Sequence, residues 1–383
     1  MLVQPTTNVA AMIKVVGVGG GGNNAVNTMI NDYNIEGVEF VAVNTDAQVL
    51  KNSRASIKVQ LGGNLTQGLG AGGDPTVGAL AAEESADELH DTLDGADMIF
   101  ITGGMGGGTG TGAIPVVSGI AKNLGALTVA VVTKPFFFES RKRMDVALEG
   151  ISKLKDKTDA MIVVPNQRIL EIIDRNLTFP EAMRKVDEVL ANAVLSISNL
   201  VTQTGFINLD FADVRSILKN SGTAMMGIGH GNGENRAEMA AKQAITSPLL
   251  EMSIQGAKGL LFNIRGGESL TMQEVAAAAQ LITDMVDPSA VIKFGASIDP
   301  ELDDDIQLTV LAAGFPDEVL KQGSDFAKPM VQVPREIGSS EEQKPSVNVS
   351  LAGEKPAMKK PPEIPSMQED DELEIPAFLR RKN

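Results

Sequence analysis

A run of glycines between an apolar strand pattern and an apolar helix pattern is the part of this chain best suited to bind a ligand. Residues 103–112 read GGMGGGTGTG, with glycine at seven of ten positions. Glycine has no side chain to pack, so the run offers close backbone approach and a row of main-chain N–H groups. The apolar stretch after it predicts a helix over 112–124, and amides at a helix N-terminus attract anions. The run therefore predicts a phosphate-binding loop, in which Thr109 and Thr111 add hydroxyl groups.

Two further glycine-rich stretches stand in similar positions. After the first predicted strand, Gly17, Gly19 and Gly22 fit the pattern GxGxxG, and Asp46 follows 24 residues later. On these residues alone, a dinucleotide site in a nicotinamide-dependent oxidoreductase with a Rossmann domain is one open interpretation. Residues 68–75 form the other stretch and would cover a terminal phosphate. The sequence contains no Gly-Lys dipeptide, which excludes a Walker loop and leaves backbone amides to hold the phosphate.

The amino-acid composition of the chain excludes several classes of function. The 383 residues carry a net charge of −16, which argues against general affinity for nucleic acid or anionic lipid. There is no cysteine and there are only two histidines, so thiolate metal sites, disulfides and cysteine nucleophiles are excluded. The sequence has neither a signal-peptide pattern nor an apolar run long enough to insert into a membrane. We expect a cytoplasmic protein.

The glycine loops must be positioned by an α/β fold. Nearly continuous apolar strands alternate with helical patterns, which predicts a parallel sheet covered on both faces. Predicted strands are 13–18, 38–43, 98–102, 127–133 and 161–164, and predicted helices are 24–33, 76–93, 112–124 and 140–155. We therefore predict a Rossmann-like parallel-sheet domain at 12–178, preceded by a flexible segment at 1–11.

A long helix and a second domain follow. Thr178 and Glu181 form a capping-box pattern, and apolar residues then recur at spacings of three and four, which predicts a central connecting helix at 179–204. Residues 205–316 are predicted to form a smaller α/β (α+β) domain. Its predicted strands are 224–228, 260–264, 291–298 and 306–312, and its predicted helices are 235–246 and 271–286.

The last part of the chain has a different character. Residues 317–368 are rich in proline and polar residues and are predicted to be a disordered linker. In the final segment, 369–383, an acidic cluster precedes apolar residues and then Arg380, Arg381 and Lys382. Apolar anchors flanked by charge predict a short peptide that orders on a partner.

Taken together, these motifs resemble the FtsZ family of tubulin-like cell-division GTPases. Residues 106–112 match the signature GGGTG[ST]G, which is highly specific, and residues 19–25 match the first phosphate loop of the family. Residues 133–139 match the segment beside the ribose, and residues 208–214 match the loop called T7. The segment 375–381 resembles the C-terminal partner-binding peptide. The resemblance covers residues 12–316 and this peptide.

The resemblance implies a GTP/GDP site, with Mg²⁺ offsetting the phosphate charge. The residues carried over to it hold the phosphates, ribose and guanine: Gly20, Gly21, Gly22, Asn23, Asn24, Ala25, Asn44, Thr45, Gly70, Ala71, Gly72, Gly106, Gly107, Gly108, Thr109, Gly110, Thr133, Pro135, Glu139, Arg143, Asn166, Met183 and Asp187. One carboxylate, that of Asp187, can accept from both N1–H and the 2-amino group of guanine, which adenine does not offer. Met183 stands where the family often has an aromatic residue, and Ser140 where it usually has glycine.

The resemblance also implies a catalytic site shared between subunits. Asp210 and Asp213, with Asn208 nearby, would approach the nucleotide of the next subunit and polarise the attacking water. A head-to-tail contact of this kind does not close on itself and builds filaments. The implied function is a self-assembling GTPase at the mid-cell division site, the Z ring. Residues 373–382 would bind membrane-tethering and regulatory division proteins, without direct membrane insertion or nucleic-acid binding.

Overall fold

The computed structural model describes residues 11–316 except 34, 36, 173–176, 203–206, 208, 248–249 and 251–252. The described residues all fall within one compact unit. The predicted segments 1–10 and 317–383, which include the linker and the terminal peptide, lie outside them, as does Asn208. None of the helices in the described ranges is long and apolar enough to cross a membrane.

The first half contains a parallel sheet of six strands with helices between them. The strands are β1 (Ile13–Val18), β2 (Val38–Asn44), β3 (Ile57–Gln60), β4 (Met98–Gly104), β5 (Leu127–Lys134) and β6 (Ala160–Pro165), in the order β3-β2-β1-β4-β5-β6. The helices are α1 (Gly19–Asp32), α2 (Ala47–Asn52), α3 (Gly63–Thr66), α4 (Pro75–Glu84), α5 (Ala86–Leu93), α6 (Gly108–Asn123), α7 (Arg141–Leu154) and α8 (Asn166–Ile172).

Apolar side chains fill both faces of this sheet. In β1, Val15 belongs to a core cluster with α1, while Val16 belongs to a second cluster with α4, α5, α6 and α7. Successive strand residues point to opposite faces, so a strand buried on both faces reads as a continuous apolar run. The predicted sheet with two covered faces is confirmed.

The central helix α9 spans Phe179–Thr202. At a rise of about 1.5 Å per residue it is roughly 36 Å long. Its stripe at Val186, Leu190, Val194 and Ile197 is buried in the same cluster as α1. The helix therefore lies against the face of the sheet that α1 covers.

The second half continues the sheet. Its elements are α10 (Phe211–Leu218), β7 (Gly222–Gly231), α11 (Arg236–Ile245), β8 (Gly259–Gly266), α12 (Met272–Thr283), β9 (Val291–Ile298) and β10 (Ile306–Ala313). Strand β10 is antiparallel to β7 and β8, and β8 is parallel to β9. Strand β7 joins the first half through a short parallel pairing with β6 at Ala160–Gly222, Met161–Thr223 and Ile162–Ala224. The result is one ten-stranded sheet that ends at β9.

Three of the predicted helices differ most from the structure. Helix α1 begins at Gly19 and α6 at Gly108, so part of each glycine run forms the first helical turn. The predicted helix 76–93 is two helices that meet at Ser85. The Ser85 hydroxyl accepts the Gly62 N–H and donates to the Gln60 carbonyl, which ties this break to the end of β3.

Candidate functional site

A cleft of about 440 Å³ opens where β1, β4 and β5 end and where α1 and α6 begin. Ligands of open parallel sheets bind at this carboxyl edge of the strands. The predicted site residues that line it are Gly20, Gly21, Asn24, Gly107, Gly108, Thr109, Gly110, Thr133, Pro135, Glu139, Arg143, Asn166, Met183 and Asp187. The sequence prediction therefore identified residues from five separate segments that the fold brings to one place.

Two helix N-termini converge on the cleft. The described residues contain no side chain that caps the first turn of α1 or α6, so the amides there are free for a ligand. The loops touch each other, since a Cβ on Gly19 would lie 3.1 Å from the Gly110 nitrogen. Both helix dipoles place partial positive charge at this point. This arrangement suits a polyphosphate.

The other predicted residues of the nucleotide site do not line the cleft. Those that are buried are Gly22, Asn23, Ala25, Asn44, Thr45, Ala71 and Gly106, whereas Gly70 is half-buried and Gly72 is exposed. The buried Asn23 amide donates to the Gly17 carbonyl (2.7 Å) and accepts from Asn44 (2.8 Å), which fixes the first loop. Thr111 is also buried, and its hydroxyl accepts the Gly106 N–H (2.7 Å). Thr111 does not line the cleft, and its hydroxyl holds the loop.

The third glycine stretch packs on the second. A Cβ on Gly108 would lie 2.9 Å from both the Ala71 Cβ and the Asp74 nitrogen. Asp74 caps α4 by accepting the Thr76 N–H (2.8 Å). Gly70 donates to the Thr45 carbonyl (3.2 Å). The stretch thus lies at the border of the cleft, beside the start of α6.

One wall of the cleft carries charge and aromatic rings. Glu139 pairs with Arg143 (3.2 Å) and also accepts the Phe136 N–H (2.9 Å). The rings of Phe136 and Phe138 stack with centroids 4.9 Å apart. Ser140, where the resemblance expects glycine, has φ of 97°, a left-handed conformation that favours glycine. The backbone demands of this turn therefore match the family pattern although the residue does not.

The opposite end suits a base. Burial raises the pKa of the Asp187 carboxyl to about 7, and repulsion from Glu188 adds to this. The Asn166 side-chain oxygen is buried without a hydrogen-bond partner among the described residues. A buried acceptor without a donor is costly, so both groups suit a ligand that brings N–H donors.

Sequence reasoning missed part of this end. Phe179 and Val186 line the cleft together with Met183, and neither was a predicted site residue. Phe179 lies one helical turn before Met183, and this i, i+4 spacing was the available signal. The aromatic ring of Phe179 is therefore present near the predicted position of the guanine base. It lies one helical turn from Met183, where the family pattern has its aromatic residue.

The predicted catalytic aspartates do not line this cleft. Asp210 caps α10, and Asp213 is its third helical residue. Each accepts the backbone N–H of the other, at 2.7 Å to Asp210 Oδ1 and 3.4 Å to Asp213 Oδ2. Within the described ranges no group of three or more acidic, histidine or cysteine side chains could hold a metal ion.

Comparison with known proteins agrees with this geometry. Residues 12–174 match the GTPase domain of the Tubulin/FtsZ family, and residues 222–316 match the C-terminal domain of the FtsZ family. A solved FtsZ dimer from M. jannaschii is 45% identical, with a TM-score of 0.76 over 80% of this chain and 89% of that chain. CetZ2 from Haloferax volcanii, solved as a GTPγS-bound protofilament, shares the fold at 21% identity and a TM-score of 0.69, over 82% of this chain and 97% of that one.

The fold and the cleft are those of the tubulin-like GTPases. The chain belongs to the FtsZ family, and it is a GTPase. The oxidoreductase interpretation of Gly17, Gly19 and Gly22 is not supported. Gly17 and Gly22 instead let α1 approach β1, because a Cβ on Gly17 would overlap the Gly22 carbonyl.

Proposed function

We propose that this GTPase assembles head to tail into filaments and hydrolyses GTP at the contact between subunits. The observation that carries the proposal is the set of carboxylates in the cleft. Among the described residues that line it, only Glu139 and Asp187 are acidic. Glu139 is paired with Arg143, and Asp187 lies at the base end. Neither is free to polarise a water molecule at the terminal phosphate, so that group must come from elsewhere.

Asp210 and Asp213 supply it from the adjacent subunit. They lie partly exposed at the start of α10, outside the cleft of their own chain. Hydrolysis of a phosphoanhydride depends on positioning and electrostatics, so carboxylates that orient the water are sufficient. Asn208 would accompany them. The dimer of the M. jannaschii relative and the protofilament of CetZ2 support assembly as a property of such folds.

The residues of the cleft bind the phosphates and the guanine. The first amides of α1 and α6 hold the phosphates, Arg143 adds positive charge, and Asp187 accepts from guanine. Mg²⁺ commonly binds through phosphate oxygens and few protein ligands. The hydroxyl of Thr109, which lines the cleft in the first turn of α6, is an oxygen donor that fits this chemistry. When bound, Mg²⁺ would neutralise charge that develops on the phosphates.

Assembly and turnover should depend on each other. We expect the protein to sediment with GTP and Mg²⁺ but not with GDP or ATP, and turnover per subunit to rise steeply above a threshold concentration. A measurement of pelleted protein and released phosphate across a concentration series tests this. Turnover per subunit that is independent of concentration, with no pellet, would refute the shared site.

We further propose that the filament forms the division ring at mid-cell in the cytoplasm and that residues 373–382 bind membrane tethers and regulators. Apolar anchors between charged residues, after a long polar segment, support this. Deletion of residues 373–383 should leave turnover intact and abolish mid-cell localisation of a fluorescent fusion. Unchanged localisation would remove the tail from this role.

A further inference from the structure

Strand β9 holds the segment that carries the proposed catalytic aspartates at two points. Ile207 and Ala296 exchange backbone hydrogen bonds of 3.2 and 3.1 Å. Six residues after Ile207, the Asp213 carboxylate pairs with the Lys293 ammonium, with Nζ 2.7 Å from Oδ1. Since β9 is the end strand of the sheet, these two contacts tie Ile207 and Asp213 to that edge.

The ion pair fixes the carboxylate as well as the backbone. The capping box gives Asp213 Oδ2 only a long contact of 3.4 Å with the Asp210 N–H. The contact with Lys293 is much shorter and lies on the other oxygen. It lowers the pKa of Asp213, with help from the Asp210 backbone, and raises the pKa of Lys293. Asp213 is therefore held ionised, with one oxygen engaged and the other nearly free.

The ion pair between Lys293 and Asp213 also changes the charge that the proposed shared active site presents to the phosphates. Two bare carboxylates that approach a nucleoside triphosphate would meet strong repulsion from the phosphates. An ammonium group 2.7 Å from one of them offsets this repulsion at the point of contact. Removal of solvent at the contact strengthens both effects.

We propose that Lys293 is a positioning residue for GTP hydrolysis, which orients the Asp213 carboxylate and offsets its charge as it meets the phosphates of the adjacent subunit. The inference rests on the proposed shared site. Lys293 acts through Asp213 and need not contact the nucleotide itself.

A purely structural role makes a different prediction. The two side chains are 37% and 27% exposed, and an exposed ion pair contributes little to stability. Loss of the pair would then leave folding and turnover almost unchanged. Turnover in assembled filaments therefore distinguishes the two roles.

The test compares Lys293→Met, Lys293→Arg and a matched control, Lys242→Met. Lys242 is an exposed lysine of α11 that pairs with Glu238 at 3.5 Å. Each full-length variant is assayed for GTP binding, for sedimentation with GTPγS, and for phosphate release per sedimented subunit with GTP. Lys293→Met should bind GTP and sediment normally but turn over roughly 10- to 100-fold more slowly, because misplacement of a catalytic group by about 1 Å costs on this order. Lys293→Arg should restore most of the rate, and Lys242→Met should match the parent.

Each other result overturns the proposal. Normal turnover by Lys293→Met would show that Asp213 needs no positioning. Loss of sedimentation with GTPγS would assign Lys293 to the subunit contact instead. An Asp213→Ala variant, assayed in parallel, separates the two hypotheses: if it turns over normally, the shared catalytic loop is wrong whatever Lys293 does.

Discussion

The hydroxyl oxygens of Thr45 and Thr109 lie 2.6 Å apart and connect the end of β2 to the first turn of α6. Thr45 is fully buried, while Thr109 lines the cleft. The two segments are far apart in sequence, yet this single hydrogen bond joins them behind the phosphate loops. It couples the position of α6 to the neighbouring strand.

Removal of this contact should weaken nucleotide binding. Thr109→Ala leaves the Thr45 hydroxyl buried without its partner, which costs about 1–3 kcal/mol. Because Thr109 also lines the cleft in the first turn of α6, its loss should lower GTP and GDP affinity by about tenfold or more, as measured by equilibrium titration. Thr109→Ser keeps the hydroxyl and is the control, for which we expect affinity close to that of the parent. Equal affinity in Thr109→Ala would show that the hydroxyl pair does not support the site.

The pH dependence of GTP binding follows from Asp187. Burial raises the pKa of its carboxyl to about 7 in the nucleotide-free protein, but guanine requires the ionised form. GTP binding below pH 7 must therefore release a proton, and affinity should fall by up to about tenfold per pH unit there. Calorimetry in buffers of different ionisation enthalpy would detect the proton at about pH 6 and little at about pH 8. Binding without proton release at the lower pH would contradict the assignment.

A matched variant checks that Asp187 is responsible. Asp187→Asn cannot titrate, so the proton release should disappear and GTP should bind weakly. Its amide N–H can donate to the 2-oxo group of xanthine, so affinity for xanthosine triphosphate should rise relative to GTP.

The raised pKa of Asp187 also implies a pH dependence of the stability of the nucleotide-free fold. The stabilising contribution of Asp187 is present below about pH 4 and is lost as the pH rises towards 7.

Ser140 stores backbone strain beside the cleft. Its φ of 97° is costly for a residue with a side chain, and the Arg143 N–H contact with its hydroxyl is long at 3.3 Å. Ser140→Gly should raise the free energy of unfolding by about 1 kcal/mol, the strain relieved less the entropy of glycine in the unfolded chain. In the interior of α10, Ser216→Gly should lower it by about 0.5–1 kcal/mol. Urea unfolding of both variants would test the sign, and a decrease for Ser140→Gly would contradict the prediction.

In the second half of the chain, the buried guanidinium of Arg236 makes several hydrogen bonds. Arg236 donates to both Glu274 oxygens (2.6 and 3.1 Å), to Ser269 and to the Asp304 carbonyl. Arg236→Met would remove these donors, although Glu274 Oε2 would keep its hydrogen bonds from Thr271, and should lower the free energy of unfolding by about 2 kcal/mol, allowing for the partial exposure of Glu274. Lys242→Met on the same helix should have almost no effect.

The Arg236–Glu274 pair also predicts that the stability of the fold falls at acid pH. Arg236 lowers the pKa of Glu274 to about 2, so its contribution is present above about pH 4.5 and is lost as the pH falls towards 2. Thermal unfolding between these pH values should show a smaller loss in Arg236→Met than in the parent. An identical loss in both would rule out this pair as the cause.

Local patterns predicted much of the first half. Long apolar runs such as 98–102 and 127–133 are confirmed as strands, because a strand buried on both faces must be apolar throughout. Strand β3 was not predicted, since it has only four residues and exposes Lys58 and Gln60. The family and the fold class are likewise confirmed.

Contacts between distant residues could not be predicted. The join of β6 to β7 rests on three residue pairs that no local pattern marks. Lys293 and Asp213 lie 80 positions apart in sequence, and only the placement of β9 beside α10 makes them partners. The roles of the individual site residues stay predictions, although the fold brings most of them to one cleft.

The glycines of the cleft fit against one another, and this restricts how the protein can evolve. A Cβ on Gly110 would overlap the Gly104 carbonyl, and one on Gly78 would overlap the Gly108 carbonyl. No single substitution that adds a side chain at these positions is accommodated without movement of a second backbone segment. Mutational drift is therefore restricted at these packed glycines, whereas a Cβ on Gly20 or Gly107 would meet no protein atom within 4 Å. Lineages that carry this fold can change the residues with open space around them, while the glycines that pack on one another are inherited together.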